Sequence, residues 1–158
     1  MKRLTSVALF LFLVPATPQT KPDFSGTWVL DVNKSSDDAA PESRLHPQTL
    51  VVKQTATELS FEVRSPGEAP TTEVFRLDRE EKSGTPAEWK VRQATFVRNE
   101  LALVDQYWSR PLSRTSLVRW SLGADRKVLT ADGTVVRQTR ADKLVTDELY
   151  FKRVYQRQ

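Results

Sequence analysis

From residue 26 onward, this chain alternates apolar and polar residues with a period of two, in short runs separated by turn residues. Period two is the repeat of a β-strand with one buried face, because successive side chains of a strand point to opposite faces of the sheet. No long stretch has the helical repeat, and most connections are short, so neighbouring strands should be antiparallel. The pattern predicts an all-β chain. The nine expected strands are 26–33, 48–55, 58–65, 71–79, 88–97, 101–108, 115–122, 127–138 and 145–156.

The connections between these runs carry turn residues, as in "SPGEAP", "EKSGTP" and "GADRK". The eighth run contains Asp132-Gly133, a strong hairpin signal, so it is either one strand or two strands joined there. The longest connection, 34–47, is polar and holds two prolines. We expect it to be mostly loop, with a short capped helix at 36–40 as the alternative and with Asp37 and Asp38 facing solvent.

A chain of successive short strands must deal with its exposed edges. Leu59, Phe61 and Val63 share one side of their strand and polar residues share the other, so one face of the sheet should be buried. Eight to ten such strands remove their edges by closing, and the interior of a barrel of this size holds side chains or one small ligand. We expect a single antiparallel up-and-down β-barrel of about 8–10 strands.

The first sixteen residues have the composition of a secretory signal peptide. Lys2 and Arg3 precede an uncharged apolar run over 7–14, and Ala16 suits the position before a cleavage site. The run is too short to span a membrane. We expect a cleaved signal peptide over 1–16, a short lead over 17–25, a barrel over 26–156, and a secreted or periplasmic protein. The chain has no cysteine, so no disulfide can stabilise the fold, and its stability must come from the core.

Charge does not indicate a nucleic-acid partner. The net charge is +4, or +2 without Lys2 and Arg3. The cations of the C-terminal third stand singly among apolar residues, which is typical of a solvated strand face. We expect a monomer that has no nucleic-acid partner and no transmembrane segment.

Few residues offer catalytic or metal-binding chemistry. His46 is the single histidine and there is no cysteine, which excludes a histidine-rich metal site and a Cys-His pair. Neither a Gly-x-Ser-x-Gly motif nor a phosphate-binding glycine loop occurs. We therefore expect a binding protein rather than an enzyme, with no cofactor and no metal. An isomerase or hydrolase that uses inward-facing acids is a weaker alternative.

The stretch 23–30, "DFSGTWVL", resembles the first strand of the calycins, the superfamily of lipocalins and fatty-acid-binding proteins. The resemblance lies in Gly26 and Trp28, which match a Gly-x-Trp motif. It implies that the glycine permits a sharp bend at the entry to the barrel and that the tryptophan plugs one end of the core. The chain also resembles short exported bacterial lipocalin-like proteins that begin "DFSGTW".

Near the other end, Arg153 and Tyr155 in "KRVYQRQ" resemble the Arg-x-Tyr element with which fatty-acid-binding proteins hold a ligand carboxylate. Two residues apart on one strand, both side chains should point into the same cavity. Unlike those proteins, this chain has only the polar 34–47 connection where they insert a helix-turn-helix. The resemblance implies a small apolar or amphipathic ligand, with an anionic ligand as one alternative. Its apolar tail would lie against Phe61, Val91, Trp120 and Phe151.

Arg153 stands on the apolar side of its strand, so it must be paired or solvated. Three alternatives are open: it stacks on a tryptophan at the barrel end, pairs with an internal carboxylate such as Asp105, or awaits an anion. Gln93 and Gln138 are further candidates for inward-facing polar residues. The main functional alternative to ligand binding is a structural or interaction domain with a filled interior. The volume of the interior separates the two.

Overall fold

The computed structural model describes residues 21–38, 45–140 and 144–158. Within these ranges the chain forms antiparallel strands and one short 3-10 helix, Val32–Lys34. The all-β prediction is confirmed. The strands are β1 Gly26–Leu30, β2 Ser36–Asp37, β3 Thr49–Gln54, β4 Glu58–Arg64, β5 Thr71–Arg76, β6 Glu80–Thr85, β7 Glu88–Val97, β8 Glu100–Ser109, β9 Leu112–Leu122, β10 Val128–Arg140 and β11 Leu144–Arg157.

Ten of these strands form the wall of a nearly closed barrel, in which each strand pairs with its neighbours. The hydrogen-bonded order is β5-β4-β3-β1-β11-β10-β9-β8-β7-β6, and β2 pairs with β11 outside this path. β5 and β6 are consecutive in the chain but stand at the two ends of this order. Side chains cross the seam between them: Arg92 of β7 donates to the Val74 carbonyl at 3.0 Å and to the Glu73 carboxylate at 3.1 Å. The up-and-down barrel prediction is therefore confirmed.

Part of the core lies at the end of the barrel where the first strand enters. Trp28 is fully buried there, and its indole Nε1 donates to the Phe24 carbonyl at 3.1 Å. Gly26 has φ 148°, a conformation that L side chains rarely adopt, and an added Cβ would lie 3.4 Å from Trp28 Nε1. The two residues of the Gly-x-Trp motif thus meet at the closed end. The other large, fully buried side chains include Phe24, Leu59, Leu101 and Leu129.

One turn prediction was wrong, and the structure decides between the two alternatives left open for the eighth run. The segment read as the "EKSGTP" turn is largely β6, an exposed strand at the seam. β10 runs unbroken through Asp132-Gly133, so the hairpin alternative is excluded. Gly133 is needed for a different reason: a Cβ at this position would lie 2.2 Å from Cζ of Phe151 on β11. The glycine makes room for an aromatic ring, and no turn forms.

The 34–47 connection also differs from its prediction. Ser36 and Asp37 form β2, which pairs with Phe151 and Lys152 of β11. The described part of the connection therefore contains no helix after the 3-10 helix ends at Lys34. The Asp37 side chain is only 6% exposed and does not face solvent as predicted, whereas Asp38 is exposed. Residues 39–44 lie outside the described residues, as do the expected signal peptide, 1–16, and residues 17–20 of the lead. In the described ranges no helix has the length and apolar character to cross a membrane.

Candidate functional site

The barrel encloses an open cavity of about 360 Å³. Its walls are the inward faces of strands on both sides of the barrel, and period-two alternation selects which residues reach it. Apolar and polar side chains both contribute to the lining. The apolar lining is Leu50, Phe61, Val63, Phe75, Leu103, Val118, Trp120, Ala131, Val135, Leu149 and Phe151. The polar lining is Asp37, Thr71, Glu73, Asp105, Arg114, Ser116, Arg137, Arg153 and Tyr155.

Five of the six residues expected to contact a ligand line this cavity: Phe61, Trp120, Phe151, Arg153 and Tyr155. The sixth does not.

Val91 was placed on the wrong face of β7. Its neighbours Arg92 and Ala94 face inward, since Ala94 is fully buried and the Arg92 guanidinium lies 3.8 Å from the ring centroid of Phe75. Alternation therefore turns Val91 outward. Gln93 shares that outward phase. Gln138, one residue beyond the inward Arg137, also faces out.

A row of aromatic rings crosses the inner part of the cavity. Phe61 and Trp120 stack with ring centroids 4.9 Å apart, and Trp120 lies 6.1 Å from Tyr155 in a second stacked contact. Such pairs stabilise beyond their buried area. Trp120 Nε1 is buried and has no acceptor among the described residues. The rings offer an apolar surface with one unused hydrogen-bond donor.

Arg153 forms an ion pair inside the barrel. Its Nη2 donates to Asp37 Oδ2 at 2.9 Å, and its side chain is about one-third exposed. Burial lowers the pKa of Arg153, but the bond to Asp37 and the attraction between the two charges outweigh it, so the pKa is raised. Of the three alternatives, pairing with a carboxylate holds, but the partner is Asp37 on β2 and not Asp105.

The other two residues in these alternatives are accounted for separately. Asp105 lines the cavity and pairs with Lys90 at 3.0 Å and with Arg92 at 3.5 Å. The cation over the barrel-end tryptophan is Arg157, whose guanidinium carbon lies 5.3 Å from the ring centroid of Trp28. The residue that covers Trp28 is thus Arg157, four residues further along β11 than Arg153, for which the sequence analysis offered this role.

Tyr155 lies beside Arg153 and is 3% exposed. Its hydroxyl accepts a hydrogen bond from Gln48 Nε2 at 3.2 Å. Burial raises the pKa of this phenol, and the nearby Arg153 charge and the Gln48 bond oppose the rise only in part. Arg153 and Tyr155 do share the cavity, but both already have partners in the protein.

Sequence reasoning missed two cations at the open end of the cavity. Arg114 of β9 and Arg137 of β10 stand directly opposite each other in the strand register, and both line the cavity and are exposed. No carboxylate among the described residues lies within ion-pair distance of either one. Their alternation with Ser116, Val118 and Val135 on the same faces was a usable signal, since those positions face the core.

The site combines apolar walls with ion pairs. Its polar groups bear opposite charges that mostly pair with one another, and no cluster of three or more metal-ligating side chains occurs among the described residues. A lining of apolar side chains with exposed arginines at the opening suits a molecule with one apolar and one polar end.

No protein-family model and no curated protein matches the sequence. Solved structures do match over most of the chain. Lipid binding protein 8 of Caenorhabditis elegans is 12% identical, with 85% of this chain and 95% of that chain covered and a TM-score of 0.58. A REP1-NXSQ fatty acid transporter is 13% identical, with 86% and 96% covered and a TM-score of 0.56. Fatty-acid-binding protein 1 of Echinococcus granulosus is 15% identical, with 85% and 96% covered and a TM-score of 0.54.

At this identity the likeness is one of fold. The chain spans nearly the full length of these proteins, so the whole barrel is shared, and the fold is calycin-like. These three proteins are named as binding or transport proteins.

Proposed function

We propose that this protein binds a small, partly apolar molecule inside its barrel and does not transform it. The observation that carries this proposal is the open interior of about 360 Å³. Ligand cavities in proteins typically measure about 300–1,000 Å³ and are lined mostly by apolar and aromatic side chains. The alternative, a structural barrel with a filled interior, requires that space to be occupied by side chains.

The lining and the structural neighbours support the same proposal. The stacked rings of Phe61, Trp120 and Tyr155 give an apolar ligand a surface to contact. Solved structures named as fatty-acid and lipid-binding or transport proteins match this barrel over nearly all of their own length. The apolar part of the ligand would then lie against these rings in the inner part of the cavity, and its polar end would point toward the opening.

Calorimetric titration with 1-decanol tests the proposal, because this probe carries a chain and no charge. Val135 lines the cavity, whereas Val136 is its neighbour on the outer face of β10. Val135→Trp should fill the cavity and abolish binding, and Val136→Trp is the matched control that should bind as the unchanged protein does. Melting curves of both variants establish that they are folded. Failure of the unchanged protein to bind, or equal binding by both variants, would favour the structural barrel.

The proposal includes export. Lys2 and Arg3, the apolar run 7–14 and Ala16 support a cleaved signal peptide, and the resemblance to exported bacterial lipocalin-like proteins agrees with it. Mass spectrometry of protein recovered outside the cytoplasm should find a chain that begins at or near Thr17. A chain that retains Met1 there would contradict this part of the proposal.

A further inference from the structure

The two arginines at the open end of the cavity, Arg114 and Arg137, have no assigned role. We propose that they form a binding site for the oxyanion head group of a single-chain amphiphile, whose tail lies in the cavity beneath them. The inference rests on the proposed function and specifies its ligand: a phosphate monoester or sulfate of an alkyl chain, held with the head group outward.

Register places the two arginines side by side on the cavity face of β9 and β10. Arg114 and Arg137 are direct partners across β9 and β10, where facing Cβ atoms lie about 4.5–5.5 Å apart. Exposure falls sharply one step inward along each strand, to 7% at Ser116 and 8% at Val135. The pair therefore stands where solvent meets the cavity, and a head group bound there leaves the tail pointing inward.

The charges of the cavity wall leave this pair without a counter-ion. Each carboxylate of the lining already has a cation: Asp37 pairs with Arg153 at 2.9 Å, Glu73 with Arg92 at 3.1 Å, and Asp105 with Lys90 at 3.0 Å. Like charges directly opposite each other on a sheet are destabilising. An anion between the two arginines would remove that repulsion and gain charge-assisted hydrogen bonds.

One carboxylate competes for the site. Asp147 of β11 stands opposite Arg137 on the other side of β10, and it is exposed. It forms no ion pair with Arg137 within the described part of the chain. A ligand would therefore face at most partial competition from Asp147, and this competition can be tested.

The geometry also selects the class of anion. Each guanidinium presents five N–H donors in a planar fork that binds oxyanions bidentately. Two forks side by side can satisfy three or four oxygens at once, which a phosphate monoester or sulfate provides and a carboxylate with two oxygens does not. Val118, Val135 and Leu149 follow directly below on the cavity wall and suit an alkyl tail.

This orientation is opposite to the one implied by the Arg-x-Tyr resemblance. Arg153 stands across from Ala131, six residues from Arg137 along β10, which corresponds to about 20 Å of strand. Arg153 is already neutralised by Asp37, whereas the pair at the opening is not. The head group should therefore be held at the opening.

Calorimetric titrations with decyl phosphate, 1-decanol and inorganic phosphate test the inference. The unchanged protein should bind decyl phosphate about 10- to 100-fold more tightly than 1-decanol, the gain expected of charge-assisted hydrogen bonds, and this gain should shrink in high salt. Arg114→Gln/Arg137→Gln should remove the gain and leave 1-decanol binding unchanged. Arg119→Gln/Lys152→Gln, which removes two charges from the exposed outer face of β9 and β11, is the matched control and should preserve it.

The remaining outcomes separate the inference from the proposed function. Equal binding of decyl phosphate and 1-decanol by the unchanged protein would overturn the head-group site and leave ligand binding in the barrel standing. If neither probe binds, both proposals fail. Inorganic phosphate bound as tightly as decyl phosphate would show a site for a free anion and overturn the amphiphile. Asp147→Asn should strengthen decyl phosphate binding because it removes the competing carboxylate, and unchanged affinity would contradict a head group bound at Arg137.

Discussion

Arg153 on the last strand and Asp37 on a two-residue strand are joined by a 2.9 Å ion pair inside the barrel wall. The two residues lie 116 positions apart in the chain, and the bond fixes the connection after β1 against β11. Asp37 is the more buried partner, with its side chain 6% exposed. A charge in that position is costly unless it is paired.

The first prediction follows from this pair. Arg153→Gln should lower the free energy of unfolding by about 1–3 kcal/mol, because it leaves the Asp37 carboxylate buried without its cation. The affinity for 1-decanol should hardly change. Urea unfolding of Arg153→Gln, Asp37→Asn and the double variant forms a double-mutant cycle, and a coupling energy near zero would show that the pair contributes nothing to the fold.

The sequence predicted most strands of the barrel, because the alternation of apolar and polar residues follows directly from which side chains are buried. It identified β4 from Leu59 and Phe61, and it read the phase of β11 correctly at Arg153. It missed β6, since Glu80–Thr85 is an exposed edge strand with no buried face and therefore no apolar alternation.

Two parts of the site could not be read from the sequence for related reasons. β2 exists because its backbone pairs with β11, and nothing in the residues Ser36 and Asp37 encodes that pairing. On β7 the inward residue is Arg92, whose guanidinium packs on a ring while the apolar Val91 faces out. Where a paired cation replaces an apolar side chain on the buried face, hydropathy gives the wrong phase.

The second prediction concerns the closed end of the barrel. Trp28→Ala should lower the free energy of unfolding by about 3–5 kcal/mol, because the indole is fully buried and its removal leaves a cavity. Trp89, which is 36% exposed on the outer face, is the matched control. Trp89→Ala should cost less than Trp28→Ala, because it loses a stacked contact with Trp108, worth about 0.5–1.5 kcal/mol, together with a smaller buried area. Equal losses in the two variants, measured by urea unfolding, would contradict the plug role of Trp28.

The third prediction is a loss of stability at alkaline pH. The pKa of the buried Tyr155 phenol is raised above its ordinary value of 10.0. As pH rises through 10, tyrosine ionises in the unfolded chain while Tyr155 in the folded protein keeps its proton, so the unfolded state gains stability. The free energy of unfolding should therefore fall above pH 10, and it should fall less in Tyr155→Phe. Urea unfolding at pH 8 and pH 11 measures both slopes, and identical slopes would refute the role of Tyr155.

The last prediction links packing to binding through Gly133 and Phe151. A Cβ at residue 133 would lie 2.2 Å from Cζ of Phe151, and the ring is one of the cavity-lining groups. Gly133→Ala must therefore push the ring toward the cavity, which should cost about 1–3 kcal/mol of stability and weaken 1-decanol binding.

Shortening the ring tests the cause of that loss. Gly133→Ala combined with Phe151→Leu should recover most of the stability and affinity lost in Gly133→Ala, because the smaller side chain leaves room for the new methyl group. Phe151→Leu alone shows how much affinity the ring itself contributes. If the double variant is as unstable as the sum of the two single variants, the glycine is required by the backbone and not by its contact with Phe151. The weaker 1-decanol binding of Gly133→Ala would then have a cause other than movement of the ring.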